Sequence, residues 1–319
     1  MTTALHALMP RIAGRPKAIP GIPHPIPYQG SKRQLAHLIV SYFPERVERL
    51  FEPFCGSCAV SLAAAHLRRA QRFVLNDINA PLMTLWRAIL DEPDELLAGY
   101  RRLWTQQLGD ERTFYDRVRA RFNRHQHPGD FLYLLARCVK AAIRYNSHGK
   151  FNNSPDNRRK GAHPDTMAWH VHRASELLCR RTSLSTRDYR DVLADAGPAD
   201  VVYLDPPYQG VCRTHNHRYL MGVDFREFVC SLEALDSRSV PFIVSYDGRT
   251  GDKVHGRRLP DALKLTHFEV LAGRSTTETL LGRKAHTYES LYLSRSLVER
   301  AANRAPRTRE RNLFGIELE

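Results

Sequence analysis

One short stretch of the chain, residues 201–208, combines a strand pattern with groups that could hold an amino-bearing ring. Four strand-favouring residues come first, and the stretch ends with Asp205, Pro206, Pro207 and Tyr208. The prolines fix φ and lack a backbone donor, so they end the strand at the acid. The Asp205 carboxylate and the Pro206 carbonyl can each accept a hydrogen bond from an exocyclic amino group, and Tyr208 can stack on the ring. The stretch predicts a nucleobase site, although an Asp-Pro-Pro turn at a strand end explains the tetrapeptide alone.

Two earlier segments have the spacing of a nucleotide-binding sheet. Residues 49–56 form a short strand that contains Phe54 and runs into a turn at Gly56, and a helix of small residues is predicted from Ala59 to about Ala70. One helix length later, a second strand ends in Asp77. In open α/β sheets the carboxyl ends of the strands form the ligand site, and an acid after the second strand binds ribose hydroxyls. The two units together predict a cofactor site.

Two more segments could complete that site. Residues 28–33 place a glycine turn, Ser31 and Lys32 before a helical pattern, which predicts Ser31 as an N-cap; such a start suits a bound anion, and a simple helix start explains it as well. Residues 182–189 predict a strand that ends in Asp188 and Tyr189. Asp188 could accept the amino group of a cofactor's adenine while Tyr189 flanks the ring.

The elements that must position these residues alternate between helices and strands, which predicts an α/β fold with a Rossmann-like sheet. After the tetrapeptide, residues 209–222 form a polar segment that could close over a substrate, with Gly210 and Gly222 as hinges.

Basic residues are concentrated in residues 101–160. This segment holds 14 Lys and Arg against 5 Asp and Glu, a balance of +9 within a chain of net charge +14. An apolar helix is predicted over residues 131–143, followed by a polar loop over residues 144–155. Basic, amide and aromatic groups interleaved in a loop can contact phosphates and base edges together, so the segment predicts a nucleic-acid surface. A solvated basic surface stays open as the alternative.

Composition restricts the remaining classes of function. The chain has 319 residues, 42% hydrophobic and 26% charged, and no apolar run has the length of a membrane span or a signal peptide core, so we expect a cytosolic protein. The six cysteines are too scattered for a disulfide framework, and Cys55 and Cys58 have no second pair that would indicate zinc. Three histidines near Asp165 match no ligand pattern, so no metal is expected.

With these positions established, the chain resembles the Dam-type (alpha-class, D12) DNA adenine-N6 methyltransferases over about residues 26–293. In that class the cofactor motif comes first, the target-recognition region second and the catalytic tetrapeptide last. Six pieces match in this order: residues 28–33, 51–56, 76–79, 144–152, 187–189 and 205–208.

The resemblance implies an arrangement of domains. We expect a flexible arm over residues 1–27, a discontinuous catalytic domain over residues 28–90 and 170–298, an inserted, mainly helical DNA target-recognition domain over residues 91–169, and a tail over residues 299–319.

The resemblance also implies roles for single residues. The S-adenosylmethionine site would contain Tyr28, Lys32, Phe54, Gly56, Asp77, Asp188 and Tyr189. The tetrapeptide Asp205, Pro206, Pro207 and Tyr208 would hold a flipped-out adenine for direct methyl transfer. Double-stranded DNA would be bound through Arg144, Asn146, Lys150 and Asn152. One position departs from the family pattern, since Cys58 stands where a second glycine is common and puts the details of methionine-end binding in question.

The implied activity is methylation of adenine N6 in a specific DNA sequence by a prokaryotic or phage enzyme. Methylation of cytosine N4 or of an RNA adenine is the nearest alternative. A catalytically inactive DNA-binding protein on the same scaffold is a third, but it predicts damage at Asp205, Tyr208 or Gly56, and all three are intact. The sequence leaves open whether a cognate restriction endonuclease accompanies the protein and what its oligomeric state is.

Overall fold

The structure is a computed structural model, and it describes residues 19–207, 223–251, 253–274 and 286–302. In this part of the chain one mixed sheet contains all the strands. The strands are β1 (Val47–Glu52), β2 (Ala70–Asn76), β3 (Thr182–Ser185), β4 (Val201–Leu204), β5 (Phe242–Thr250), β6 (Lys253–His255), β7 (Thr266–Arg274) and β8 (His286–Leu293).

The strand order is β3-β2-β1-β4-β5-β8-β7, and β6 pairs with the end of β5. Neighbours from β3 to β5 run parallel, whereas β8 runs antiparallel to both β5 and β7. The chain moves outward from β1 to β3 and then returns to β4 on the other side of β1. This reversal makes the crevice beyond the ends of β1 and β4 the expected ligand site. The predicted α/β, Rossmann-like fold is confirmed.

Helices cover both faces of the sheet. They are α1 (Ala36–Ser41), α2 (Ala59–His66), α3 (Ala80–Asp91), α4 (Pro93–Gln106), α5 (Glu111–His125), α6 (Pro128–Arg137), α7 (Pro164–Leu178), α8 (Tyr189–Ala194), α9 (Phe225–Ser237) and α10 (Arg295–Ala302). Helices α3 to α7 all lie between β2 and β3 in sequence, and α4 packs against both α6 and α7. Proline stands in the first turn of α3, α4, α6 and α7, where its missing N–H costs nothing.

The core is divided by the sheet because successive strand residues point to opposite faces. Leu50 of β1 belongs to the apolar cluster on one face, and the next residue, Phe51, belongs to the cluster on the other face. All four residues of β4 are buried, as expected for a parallel strand covered on both faces. Helix α2 is buried from Ala59 to Ala65, because its small side chains allow close approach to its neighbours.

Several local predictions were wrong in their bounds. The apolar helix predicted over residues 131–143 ends at Arg137, and a one-turn 3₁₀ helix follows in which Lys140 and Ala141 both have positive φ. The helix predicted from Ala59 ends at His66, four residues before β2 begins. Strand β3 ends at Ser185, before the predicted acid and ring.

The first helix begins later than its polar start suggested. Helix α1 starts at Ala36 with Leu35 in the N-cap position, so Ser31 does not cap it. The Ser31 hydroxyl instead lies 2.8 Å from that of Ser57 in the first glycine turn. The segment before Tyr28 is packed from residue 19 onward, with Ile22 and Ile26 buried in the core. Among the described helices, none has both the length and the apolar character needed to cross a membrane.

Candidate active site

A cavity of about 400 Å³ opens at the carboxyl edge of the sheet, beyond the ends of β1, β2 and β4. It gathers predicted site residues from distant parts of the sequence. These are Tyr28, Lys32, Phe54, Gly56, Asp77, Arg144, Asp188, Tyr189, Asp205, Pro206 and Pro207. Tyr208 and the predicted closing segment 209–222 lie outside the described residues.

The cavity wall is acidic although the chain as a whole is basic. Its acids are Glu52, Asp77, Asp188, Asp205, Asp224 and Glu227, and its bases are Lys32, Arg144, Arg187 and Arg190. Burial raises the pKa of Glu52 to about 8, so the other five acids face four bases, and this small excess of acids favours a positively charged ligand in a protein whose net charge is +14.

Asp205 follows β4 directly and is bound by a buried cation. The Lys32 ammonium donates to both carboxylate oxygens of Asp205, at 2.8 Å each, and lies 3.8 Å from Glu289 of β8. Burial by itself would lower the pKa of Lys32, but the charges of Asp205 and Glu289 outweigh it and raise that pKa. Lys32 is therefore a permanent cation at the back of the cavity, in contact with Asp205.

Asp77 follows β2 and is bound by backbone groups instead. Its carboxylate accepts hydrogen bonds from the N–H of Gly56 at 3.1 Å and from the N–H of Asn79 at 3.0 Å. Burial raises its pKa, and these two hydrogen bonds oppose the rise. Asp77 thus connects the glycine turn after β1 to the turn after β2.

Asn76, the residue before Asp77, uses all of its side-chain hydrogen-bonding capacity. The amide nitrogen donates to the carbonyls of Pro53 and Arg187, and the amide oxygen accepts from the Ser185 hydroxyl and the Arg187 N–H, over 2.7 to 3.0 Å. Asn76 is almost fully buried. One side chain therefore ties the ends of β1, β2 and β3 together, and although it stands in a matched motif, sequence reasoning assigned it no role.

Gly56 is required by a close approach. It has φ of 47°, and a Cβ at this position would lie 3.1 Å from the ring of Tyr28. Cys58, two residues later, also has positive φ, 50°, which residues other than glycine adopt only at a cost. Cys58 is completely buried and is not among the residues that line the cavity. Its thiol therefore packs into the protein while its backbone keeps the turn that a glycine would make.

Aromatic and charged groups form the wall after β3. The ring centroids of Phe54 and Tyr189 lie 5.1 Å apart, so the two rings are adjacent at the cavity surface. Asp188 caps α8 by accepting from the N–H of Arg190 and also pairs with the Arg190 guanidinium at 2.8 Å. This hydrogen bonding lowers the pKa of Asp188, which keeps it ionised.

Glu52 is a cavity residue to which sequence reasoning assigned no role. It is the last residue of β1, is 2% exposed and accepts a hydrogen bond from the Ser61 N–H at 2.5 Å. Burial raises its pKa to about 8, although the hydrogen bonds from Ser61 act in the opposite direction. The signal was present, because Glu52 is an acid at a strand end, as Asp77 and Asp205 are.

Residues 144–152 form a small hairpin beside the cavity. Tyr145 pairs with Phe151 across it, and the Asn146 side-chain oxygen accepts from the N–H of His148 and of Lys150, which closes the turn. Lys150 and Asn152 are exposed, whereas Arg144 lines the cavity. The Tyr145 hydroxyl donates to Asn79 at 3.0 Å and so anchors the hairpin to the turn after β2.

The cysteines and histidines singled out in the sequence have packing roles. Cys55 and Cys58 are buried free thiols, and burial raises the pKa of Cys55 to about 11. His163 caps α7 by accepting from the Asp165 N–H, and His170 accepts from the N–H of His24. Within the described ranges, no three His, Cys, Asp or Glu side chains are grouped closely enough to hold a metal ion.

Comparison with known proteins gives the family. The family model for D12 class N6 adenine-specific DNA methyltransferases matches residues 28–301. The DNA adenine methylase of Escherichia coli (strain K12) is 28% identical over 227 residues, which cover 68% of this chain and 78% of that protein. The DNA adenine methylase of Serratia marcescens is 29% identical over 194 residues, 59% of this chain and 68% of that protein. Because the family match spans most of the sequence, the chain belongs to the D12 class of N6 adenine-specific DNA methyltransferases.

Proposed function

We propose that the cavity binds S-adenosylmethionine and a flipped-out adenine side by side, and that Asp205 and the Pro206 carbonyl hold the adenine amino group for direct methylation at N6. The observation that carries this proposal is that the acceptor residues after β4 line the same cavity as the glycine turn and acid of the first two strands. A reaction between two bound molecules needs such a shared space.

The residues present fit S-adenosylmethionine. Its positive charge suits the acidic wall, the adjacent rings of Phe54 and Tyr189 can flank its adenine, and Asp77 and Asp188 supply carboxylates for its hydroxyl and amino groups. Tyr28 and Gly56 complete the predicted cofactor wall, whereas Lys32, which the sequence also predicted there, contacts Asp205 on the adenine side. When bound, the cofactor would supply the methyl group as an electrophile.

The protein's part in the reaction is to orient and activate the adenine. The amino nitrogen of adenine is a weak nucleophile because its lone pair is delocalised into the ring. Hydrogen bonds from the amino group to Asp205 and to the Pro206 carbonyl favour the form in which that lone pair is available, and they fix the direction of attack. Pro207 supports this turn, and Tyr208 is proposed to stack on the base. In duplex DNA the base must leave the helix to reach these groups.

The activity test is transfer of a labelled methyl group from S-adenosylmethionine to duplex DNA, followed by digestion to nucleosides. We expect the label in N6-methyl-2′-deoxyadenosine. Label found only on cytosine, or only in an RNA substrate, would overturn the proposal. Sequencing that detects modified bases, applied to DNA from cells that express the protein, then identifies the recognition sequence and shows whether one sequence is modified throughout.

We propose that the hairpin of residues 144–152 contacts the DNA. Arg144 reaches the cavity while Lys150 and Asn152 project from the same hairpin, so one element can contact the backbone and the neighbourhood of the flipped base together. Asn146 is proposed to act through its turn and its remaining amide donors.

The hairpin is tested by the salt dependence of DNA binding. Arg144→Ala and Lys150→Ala should each weaken binding and reduce the slope of log K against log salt concentration by about 1, because each removes one positive charge that would neutralise a phosphate beside the hairpin or beside the flipped base. Arg72→Ala is the matched control, since Arg72 is exposed in the amino-terminal half of β2, away from the cavity. Slopes equal to that of the Arg72 variant would remove the hairpin from the interface.

A further inference from the structure

One buried ammonium group lies between two carboxylates that come from different strands. Lys32 is 7% exposed, and its nitrogen lies 2.8 Å from Asp205 and 3.8 Å from Glu289. Asp205 follows β4 and lines the cavity, whereas Glu289 belongs to β8, two strands away in the sheet, and is outside the cavity wall. Lys32 therefore separates a carboxylate that faces the ligand space from one that does not.

The contact with Asp205 conflicts with the role proposed for that residue. The Lys32 nitrogen is equally close to both Asp205 oxygens, so it lies across the open end of the carboxylate. An ammonium ion in this position occupies one lone pair on each oxygen and reduces the negative charge that an incoming amino group would meet. In this geometry the adenine amino group meets an acceptor whose negative charge is largely balanced by Lys32, which weakens its hydrogen bond to Asp205.

Glu289 gives Lys32 a second place to bind. A shift of about 1 Å would bring the Lys32 nitrogen from 3.8 Å to hydrogen-bonding distance of the Glu289 carboxylate. The lysine side chain has a flexible four-carbon stem, so such a shift needs no backbone movement. Throughout the shift the buried ammonium keeps a carboxylate partner, which avoids the large cost of an unpaired buried charge.

We propose that Lys32 is exchanged between Asp205 and Glu289 during the catalytic cycle. Lys32 binds Asp205 while the adenine site is empty, and it moves to Glu289 when the adenine amino group donates to Asp205. Glu289 is then a positioning residue that sets the fraction of enzyme in which Asp205 can accept the substrate, and the apparent affinity for the flipped base scales with that fraction. This inference rests on the proposed function of Asp205.

The test compares Glu289→Gln with Glu269→Gln. Glu269 is a matched control because it lies on the neighbouring strand β7, at the surface, and pairs with Arg249 rather than with Lys32. Transfer of a labelled methyl group to plasmid DNA without N6-methyladenine gives kcat and KM. Calorimetry gives the Kd for S-adenosylmethionine, and thermal unfolding gives Tm. We expect Glu289→Gln to lower kcat/KM for DNA by about tenfold, with cofactor Kd and Tm matching those of the control.

A second comparison separates the exchange from a general structural effect. In a Lys32→Met background the competing cation is absent, so Glu289→Gln should change the residual kcat/KM by less than about twofold. If Glu289→Gln does not fold, Glu289→Asp, which keeps the charge but shortens the side chain, should give an intermediate loss that also disappears in the Lys32→Met background.

The outcomes distinguish this inference from the proposed function. Wild-type enzyme that methylates adenine, together with a Glu289→Gln variant as active as the control, would overturn the exchange alone. A loss of the same size in the Lys32→Met background would also overturn it, because Glu289 would then act independently of Lys32. Wild-type enzyme that transfers no methyl group to adenine would overturn the proposed function and the exchange with it.

Discussion

Two carboxylates of the same cavity, Asp77 and Asp205, stand at equivalent places and are held in different ways. Each follows the end of a parallel strand. Asp77 is bound by two backbone N–H groups, which cannot leave, whereas Asp205 is bound by the side chain of Lys32, which can move. A group fixed by backbone suits a ligand that is bound in one geometry, and a group held by a side chain suits a substrate that must enter and displace something.

The same contrast extends to the neighbouring residues. On the side of β1 to β3, Asn76 and Asp77 join three strand ends through hydrogen bonds in which one partner is nearly always backbone. On the side of β4 and β8, the corresponding contacts join the side chains of Lys32, Asp205 and Glu289. The cavity therefore has one rigid wall, proposed for the cofactor, and one adjustable wall, proposed for the adenine.

The largest effect that the contrast predicts is on turnover. Asp205→Ala removes the proposed acceptor of the adenine amino group, and we expect kcat to fall by about 1,000-fold, the upper end of the range for loss of one preorganised polar contact. Because the cofactor wall is built by other residues, the Kd for S-adenosylmethionine should change by less than about threefold. Both quantities are measured on the same preparation, and turnover near the wild-type rate would refute the role of Asp205.

Asp77→Ala, in contrast, should lower stability and the affinity for the cofactor. It leaves the N–H groups of Gly56 and Asn79 without their acceptor, at about 1 to 3 kcal/mol for each buried donor. We expect the free energy of unfolding to fall by about 2 to 4 kcal/mol and the cofactor Kd to rise, measured by urea denaturation and calorimetry. Asp261→Ala, at a position that is 93% exposed, is the control, and an equal loss there would contradict the structural role.

Glu52 stands at a third strand end, and its carboxyl group is held neutral. The pH dependence of the protein's stability tests this. Burial raises its pKa from 4.5 to about 8, so between these values the folded protein binds one more proton than the unfolded chain. The stability that Glu52 contributes is therefore present below about pH 4.5 and is lost as the pH rises towards 8.

Glu52→Gln removes this titration and keeps an acceptor for the Ser61 N–H. Near pH 5 the two proteins should differ by less than about 1 kcal/mol in the free energy of unfolding, and at pH 8.5 the variant should be more stable by a few kcal/mol. Urea denaturation at both pH values gives the difference. A difference that stays constant with pH, as expected for the surface change Glu269→Gln, would show that Glu52 is ionised in the folded protein.

Much of the site could be predicted from local sequence because it stands at strand ends. The acids after β2 and β4 were placed at one edge of the sheet because parallel strands end together. Glu289 could not be found in this way. It meets Lys32 only because β8 returns antiparallel to β5, and no sequence pattern connects positions 257 residues apart.

Backbone conformation was the other feature that could not be predicted from the sequence. The helix predicted to continue to residue 143 stops because Lys140 and Ala141 adopt positive φ, and neither residue type signals that conformation. The closure of the hairpin by Asn146 was likewise hidden, because its amide suits a turn and a DNA contact equally well.

The saturated amide of Asn76 has a consequence for motion. The N–H of Arg187 lies in a loop after β3, where exchange with solvent deuterium is normally fast, yet it donates to a side chain that is itself fixed to the turn after β1. This hydrogen bond should protect the Arg187 amide proton, so we expect it to exchange more slowly than those of neighbouring loop residues. Slow exchange there would show that the strand ends of the cofactor wall stay joined in solution.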